Sequence, residues 1–62
     1  MKYKYKDRFI QINFGREQHI GYVLDEVEDH YGSICISVLL QNIAKTIYFD
    51  TSFGKPKILW EE

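Results

Sequence analysis

Among its 62 residues this chain has one cysteine, one proline, one tryptophan and only four glycines. A lone cysteine, Cys35, can close no internal disulfide, so the fold does not depend on disulfide bonds. With a single proline (Pro56) and scattered glycines there is no linker and no low-complexity tract. No apolar run reaches the length of a signal-peptide core or a membrane span, which points to a cytoplasmic protein without a membrane partner. A net charge of −1 removes the global attraction to phosphate that nucleic-acid binders display. No glycine-rich phosphate cradle, Gly-x-Ser-x-Gly or His-Glu-x-x-His motif is present. His19, His30 and Cys35 are not spaced as zinc ligands are, and Cys35 sits in an apolar run that suits an inert thiol. We therefore expect no enzyme, no catalytic residue, no cofactor and no metal.

What the chain does have is oily bulk. It is 45% hydrophobic and 16% aromatic, with five tyrosines and four phenylalanines beside the tryptophan. Residues 1–62 read as one small, self-standing domain. Such a domain buries about 60% of its unfolded surface, so its stability margin is thin. Large rings compensate by burying roughly 150–250 Å² each. Disorder, which requires low hydrophobicity and high net charge, is excluded.

Period-two alternation dominates the pattern. In the opening "MKYKYKDRFIQINF", Tyr3, Tyr5 and Phe9 share one face of a strand, and Lys2, Lys4, Lys6 and Arg8 share the other. After Phe9 the apolar residues shift to Ile10, Ile12 and Phe14. A strand changes its buried face only through a bulge or a bend, so one long bent strand is expected near 2–14. The segment 16–31 carries two patterns. Ile20, Val23, Leu24, Val27 and Tyr31 form a helical stripe, with Gly32 placed to stop it. Against a helix stand Gly21, the missing N-cap and acidic residues crowding the last turn. We read a strand with Ile20, Tyr22 and Leu24 on one face, then a turn near Asp29–Ser33. Further on, "ICISVLL" alternates Ile34, Ile36, Val38 and Leu40 against Cys35, Ser37 and Leu39. "QNIA" is a turn, and "KTIYFD" is a strand with Ile47 and Phe49 opposite Tyr48. "TSFGKP" turns again, and Pro56 marks the start or edge of a last strand, "KILW". The final "EE" keeps the terminus wet.

The stretch "DRFIQINFGREQHIGYVLDEV", residues 7–27, resembles the opening of SH3-like small barrels of the KOW type. Ile10 and Ile12 stand in the alternating first strand, Gly15 in the loop, and Gly21-Tyr22-Val23 at the second strand. The resemblance implies an all-β fold, a five-stranded antiparallel SH3-like barrel. The alternative is an α+β arrangement with one helix near 16–31 packed on an antiparallel sheet. Basic loop residues, usual in nucleic-acid-binding members, are reduced here to Arg16.

Two functions compete. The first is a non-catalytic binding module: a protein-binding accessory, regulator or inhibitor subunit, a description that phage- and mobile-element-encoded proteins often fit. Its contacts would come from Tyr22, Asp25, Glu26, Glu28, Asp29 and Tyr31, although the acidic run "DEVED" also reads as a solvated surface. The second is nucleic-acid binding through Lys2, Tyr3, Lys4, Tyr5, Lys6 and Arg8, with Arg16 and Lys45, where rings stack bases and cations meet phosphates. Spare aromatics and unpaired strand edges also suit a homodimer.

Overall fold

The computed structural model describes residues 3–60, and Phe14 by its backbone only. Lys2 and the terminal Glu61 and Glu62, which entered the sequence reading, lie outside the described residues. Five strands form one open antiparallel sheet: β1 (Phe9–Phe14), β2 (Glu17–Glu28), β3 (Ile34–Leu40), β4 (Lys45–Asp50) and β5 (Lys57–Leu59). Their order is β4-β3-β2-β1-β5. The first four strands make a meander, and after a one-turn 3-10 helix (Thr51–Phe53) β5 returns to pair with β1. The all-β expectation holds. No α-helix occurs among the described residues, and the helix considered for 16–31 is overturned by the twelve-residue β2. Pairing with β1 on one side and β3 on the other satisfies its backbone groups, which outweighs an apolar stripe that happens to recur at helical spacing.

Alternation places the core. Ile10, Ile12, Val23, Ile36, Val38, Leu40 and Phe49 are buried on one face, with Ile34, Ile47 and Ile58 packed against them. Tyr48 faces the opposite way at 87% exposure. On β2 the buried positions are Gly21 and Val23, while Ile20 and Leu24 stay exposed. Gly21 is required by proximity, because a Cβ there would overlap Val38 Cγ1 and crowd the Leu39 carbonyl oxygen. The β1–β2 connection is the two residues Gly15 and Arg16 between the paired Phe14 and Glu17. Gly15 takes φ +56°, a conformation that suits the first position of a tight hairpin.

The opening segment departs from the expected strand. Regular β1 starts at Phe9, and residues 3–8 form an irregular strap. The change of face falls at Asp7, whose φ is +64°, and the Arg8 N–H donates to the Tyr5 carbonyl at 3.2 Å. The strap turns Tyr5 into the core, leaving it 3% exposed. The lysines do not keep to the other face. Lys6 Nζ lies 4.7 Å from the Tyr3 ring centroid, and Lys4 Nζ lies 5.5 Å from that of Tyr5.

The strap is tied to β2 by two backbone bonds with Val23 and by one carboxylate. The Asp7 N–H donates to the Val23 carbonyl and the Val23 N–H donates to the Arg8 carbonyl, each at 2.9 Å. The β2–β3 register slips between Val23 and Asp25, which makes Leu24 the extra residue of a bulge. Side chains beyond a bulge exchange faces, so Glu26 comes to lie opposite the buried Ile36. Its carboxylate accepts from the backbone N–H groups of Lys4 (3.0 Å), Tyr5 and Lys6 (3.1 Å). Three consecutive donors converging on one anion compensate it for its partial loss of water.

Candidate functional site

The candidate surface lies on the face of the sheet away from the core. Pairing aligns Leu59, Phe9, Tyr22, Leu39 and Thr46 in one row across all five strands. Phe9 sits at its centre of contact. Its ring meets that of Tyr22 edge-on, with centroids 5.0 Å apart, and that of Trp60 at 5.4 Å. Trp60 is 73% exposed, and Phe9, Ile20 and Leu24 are also open to solvent on this face or its margin. The Tyr22 hydroxyl donates to Asp7 Oδ1 at 3.3 Å. Burial, followed by the charge and hydrogen bond of Asp7, pushes the Tyr22 phenol above its ordinary pKa. It is a donor at neutral pH.

Next to this row is an open cleft of about 570 Å³, lined by Lys6, Asp7, Arg8, Phe9, Leu59 and Trp60. The strap supplies one wall and the end of β5 the other. Two residues at this cleft, Asp7 and Trp60, have positive φ values of +64° and +51°. Aspartate tolerates that region, but a bulky ring such as Trp60 there is uncommon and strained, and such strain gathers at functional sites.

The expected contact residues are divided among several places. Of the protein-binding set, only Tyr22 joins the aromatic row. Glu26 is withdrawn to hold the strap, so it is not part of a solvated acidic surface. Asp25 and Asp29 organise backbone: Asp25 accepts from the Glu26 N–H, and Asp29 accepts from those of Tyr31 and Ser33. Glu28 and Tyr31 are exposed near that turn. Of the nucleic-acid set, Tyr5 is buried and has no face for a base. Tyr3, Lys4, Lys6 and Arg8 lie in the strap, which Glu26 holds near the C-terminal end of β2. Arg16 precedes the first residue of β2, and Lys45 begins β4 after the β3–β4 turn. The structure brings Lys6 and Arg8 together at one cleft and leaves Arg16 and Lys45 on other elements.

Sequence reading missed the central residues Phe9, Leu59 and Trp60. Trp60 is the single tryptophan, a residue type enriched where binding energy concentrates. That was the available signal. Its contact with Phe9 depends on β5 pairing with β1, which no local pattern announces.

A second cavity, of about 630 Å³, is lined by Asn13, Gly15, Cys35, Tyr48, Phe49, Asp50 and Phe53. Near it, ligand-type atoms of Asp29, Cys35 and Asp50 lie within 4.8 Å of one another. Each carboxylate is already engaged by backbone: Asp29 in its turn and Asp50 as cap of the 3-10 helix, accepting from the Ser52 N–H at 2.9 Å. Burial, then the charges of Asp50 and Asp29, push the Cys35 thiol upward. This makes it a protonated, unreactive group at neutral pH. Elsewhere, His19 Nε2 lies 3.3 Å from Glu17 Oε2, and His30 is exposed in the β2–β3 turn. No described helix is long and apolar enough to cross a membrane. No protein-family model, curated protein or solved structure matches this chain.

Proposed function

We infer that this protein is a non-catalytic protein-binding module, an accessory or inhibitory subunit that docks through the solvent-facing row centred on Phe9, Tyr22 and Trp60. One observation carries the reading: three rings in edge contact are drawn from β1, β2 and the end of β5, with Phe9 and Trp60 exposed and Tyr22 half-buried between sheet and solvent. Binding energy concentrates in such aromatic anchors, because they bury large area with little conformational entropy to lose. The strain at Trp60 supports a role for this end of the molecule. The meander order, with β5 returning to β1, is compatible with an SH3-like barrel of the KOW type, and we take that as the fold family.

A second reading follows from the cleft, where Lys6 and Arg8 stand beside Phe9 and Trp60. A base on Trp60 with phosphates at the cations would bind single-stranded nucleic acid. Trp60 serves as a fluorescent probe for both readings. Immobilised protein should retain a partner from cell extract that Phe9→Ala and Trp60→Ala variants, folded by circular dichroism, release. Retention that ignores both substitutions would remove the aromatic row from the function. Quenching of Trp60 by oligonucleotides, weakening steeply as salt rises, would replace the protein-binding reading with the second.

A further inference from the structure

The two edges of the sheet differ in how they are guarded. β5 has three residues, begins after Pro56, carries Lys57, and ends at Trp60 with its positive φ. Short length, proline, lysine and irregular backbone all discourage another strand from adding there. β4 has none of these devices except Lys45 at its first position. It runs six residues in unbroken register with β3, from Leu40 opposite Lys45 to Cys35 opposite Asp50. Among the described residues, no strand pairs with its other side. The chain leaving β4 does not cover that side, since it turns toward β3, where Thr51 Oγ1 donates to the Ile34 carbonyl at 2.9 Å. Exposed apolar side chains accompany the open edge: Tyr48 and Phe53, each 87% exposed, and Ile43 at 56%. The second cavity separates the C-terminal end of β4, with Tyr48, Asp50 and Phe53, from Asn13 and Gly15 at the β1–β2 hairpin.

We propose that β4 pairs antiparallel with β4 of a second copy of this chain, about a two-fold axis at Tyr48, so that two sheets become one. Register follows from side-chain direction. Paired residues in a ladder point to the same side, so the axis must pass through a residue and not between two. Centring on Tyr48 sets Ile47 against the second copy's Phe49 on the core side. On the outer side it sets Thr46 against the second copy's Asp50, a hydroxyl facing a carboxylate, and no like charges oppose each other. Centring on Ile47 would instead press Lys45 against Phe49. The four rings of Tyr48 and Phe53 in the two copies can bury roughly 600–1,000 Å². With Ile43 and the strand backbones this approaches the lower limit of about 1,200 Å² for a specific interface. The dimer is therefore one that dissociates on dilution.

The pairing stands independently of the proposed aromatic docking row. Where that reading also holds, the axis is perpendicular to the sheet and both rows face the same way, so a partner with two sites gains avidity.

Sedimentation velocity over a wide concentration range tests the proposal. The wild type should rise from the 7.4 kDa of one chain toward twice that mass. Tyr48→Lys should stay monomeric, whereas Lys57→Glu, altered on β5 at the opposite edge of the sheet, should behave as wild type. In a Cys35→Ser background, Tyr48→Cys should oxidise to a disulfide-linked dimer and Leu24→Cys should not. Hydrogen exchange on the unaltered protein provides a readout free of folding defects: β4 amides should gain protection with concentration while β5 amides do not. A wild type monomeric throughout, self-association indifferent to Tyr48→Lys, or equal protection of the two edges would each overturn the proposal.

Discussion

Glu26 and Cys35 show how far a side chain's role depends on its surroundings. In the chain, Glu26 is one of several acids in "DEVED", with nothing to set it apart from Glu28. The bulge at Leu24 turns Glu26 toward the strap, while Glu28 stays in water. Cys35 was expected to be inert because of its apolar strand, and the structure adds the carboxylates of Asp29 and Asp50. Both burial and negative charge favour the neutral thiol over the thiolate. Alkylation by iodoacetamide should therefore be slow at pH 7 and accelerate only above the ordinary cysteine range, about pH 8.5. Asp50→Asn removes one of the opposing charges and should shift that rate profile toward lower pH. A profile unchanged by Asp50→Asn would show that the carboxylate does not act on the thiol.

Among the elements, the strap is the one whose conformation the alternating pattern misrepresents. "KYKYK" obeys strand alternation, yet its described residues, Tyr3–Lys6, belong to no strand. The backbone N–H groups of Lys4, Tyr5 and Lys6 are satisfied by one carboxylate from β2. Hydrogen bonds to a charged acceptor contribute about 1.5–3 kcal/mol each. Because the three here share one half-buried anion and are not additive, Glu26→Ala should cost about 2–4 kcal/mol by urea denaturation. Glu26→Gln, keeping one acceptor oxygen, should cost less, and Glu28→Ala should remain within about 0.5 kcal/mol of wild type. Equal effects at positions 26 and 28 would mean that the strap is not held in this way. Strands β3 and β4 were legible in advance because their β-branched alternation matches their burial without any bulge. β2 was harder to read, since its bulge breaks the period that identifies a strand.

For the molecule as a whole, small size sets the terms. A domain of this length has a total stability of only about 3–9 kcal/mol. Tyr5, the plug that the strap inserts beneath the sheet, is one of eight buried hydrophobic residues among those described. Large-to-small truncation of a buried ring costs about 3–5 kcal/mol, a large part of that total. Tyr5→Ala should lower the melting temperature steeply or leave a substantial unfolded population at 25 °C, read by thermal circular dichroism. Tyr5→Phe, which keeps the ring, should stay folded. Survival of Tyr5→Ala with an unchanged melting point would show that the strap is dispensable and that the open sheet closes its own core.

While the choice of strand over helix for 16–31 fell to the structure, the amino-acid sequence alone determined strands β3 and β4, the turns at Asp29–Ser33 and Gln41–Ala44, and which residues of those strands point inward. These are local properties: alternation and turn chemistry act between residues close in the chain, so they can be read without knowing the fold. Tertiary structure alone decided that β5 lies beside β1, that Phe9 meets both Tyr22 and Trp60, and that Glu26 reaches Lys4–Lys6 across some twenty residues. Those contacts follow from strand order and from one slipped residue at Leu24. Both reflect competition among long-range pairings, which leaves no mark on any short stretch of chain.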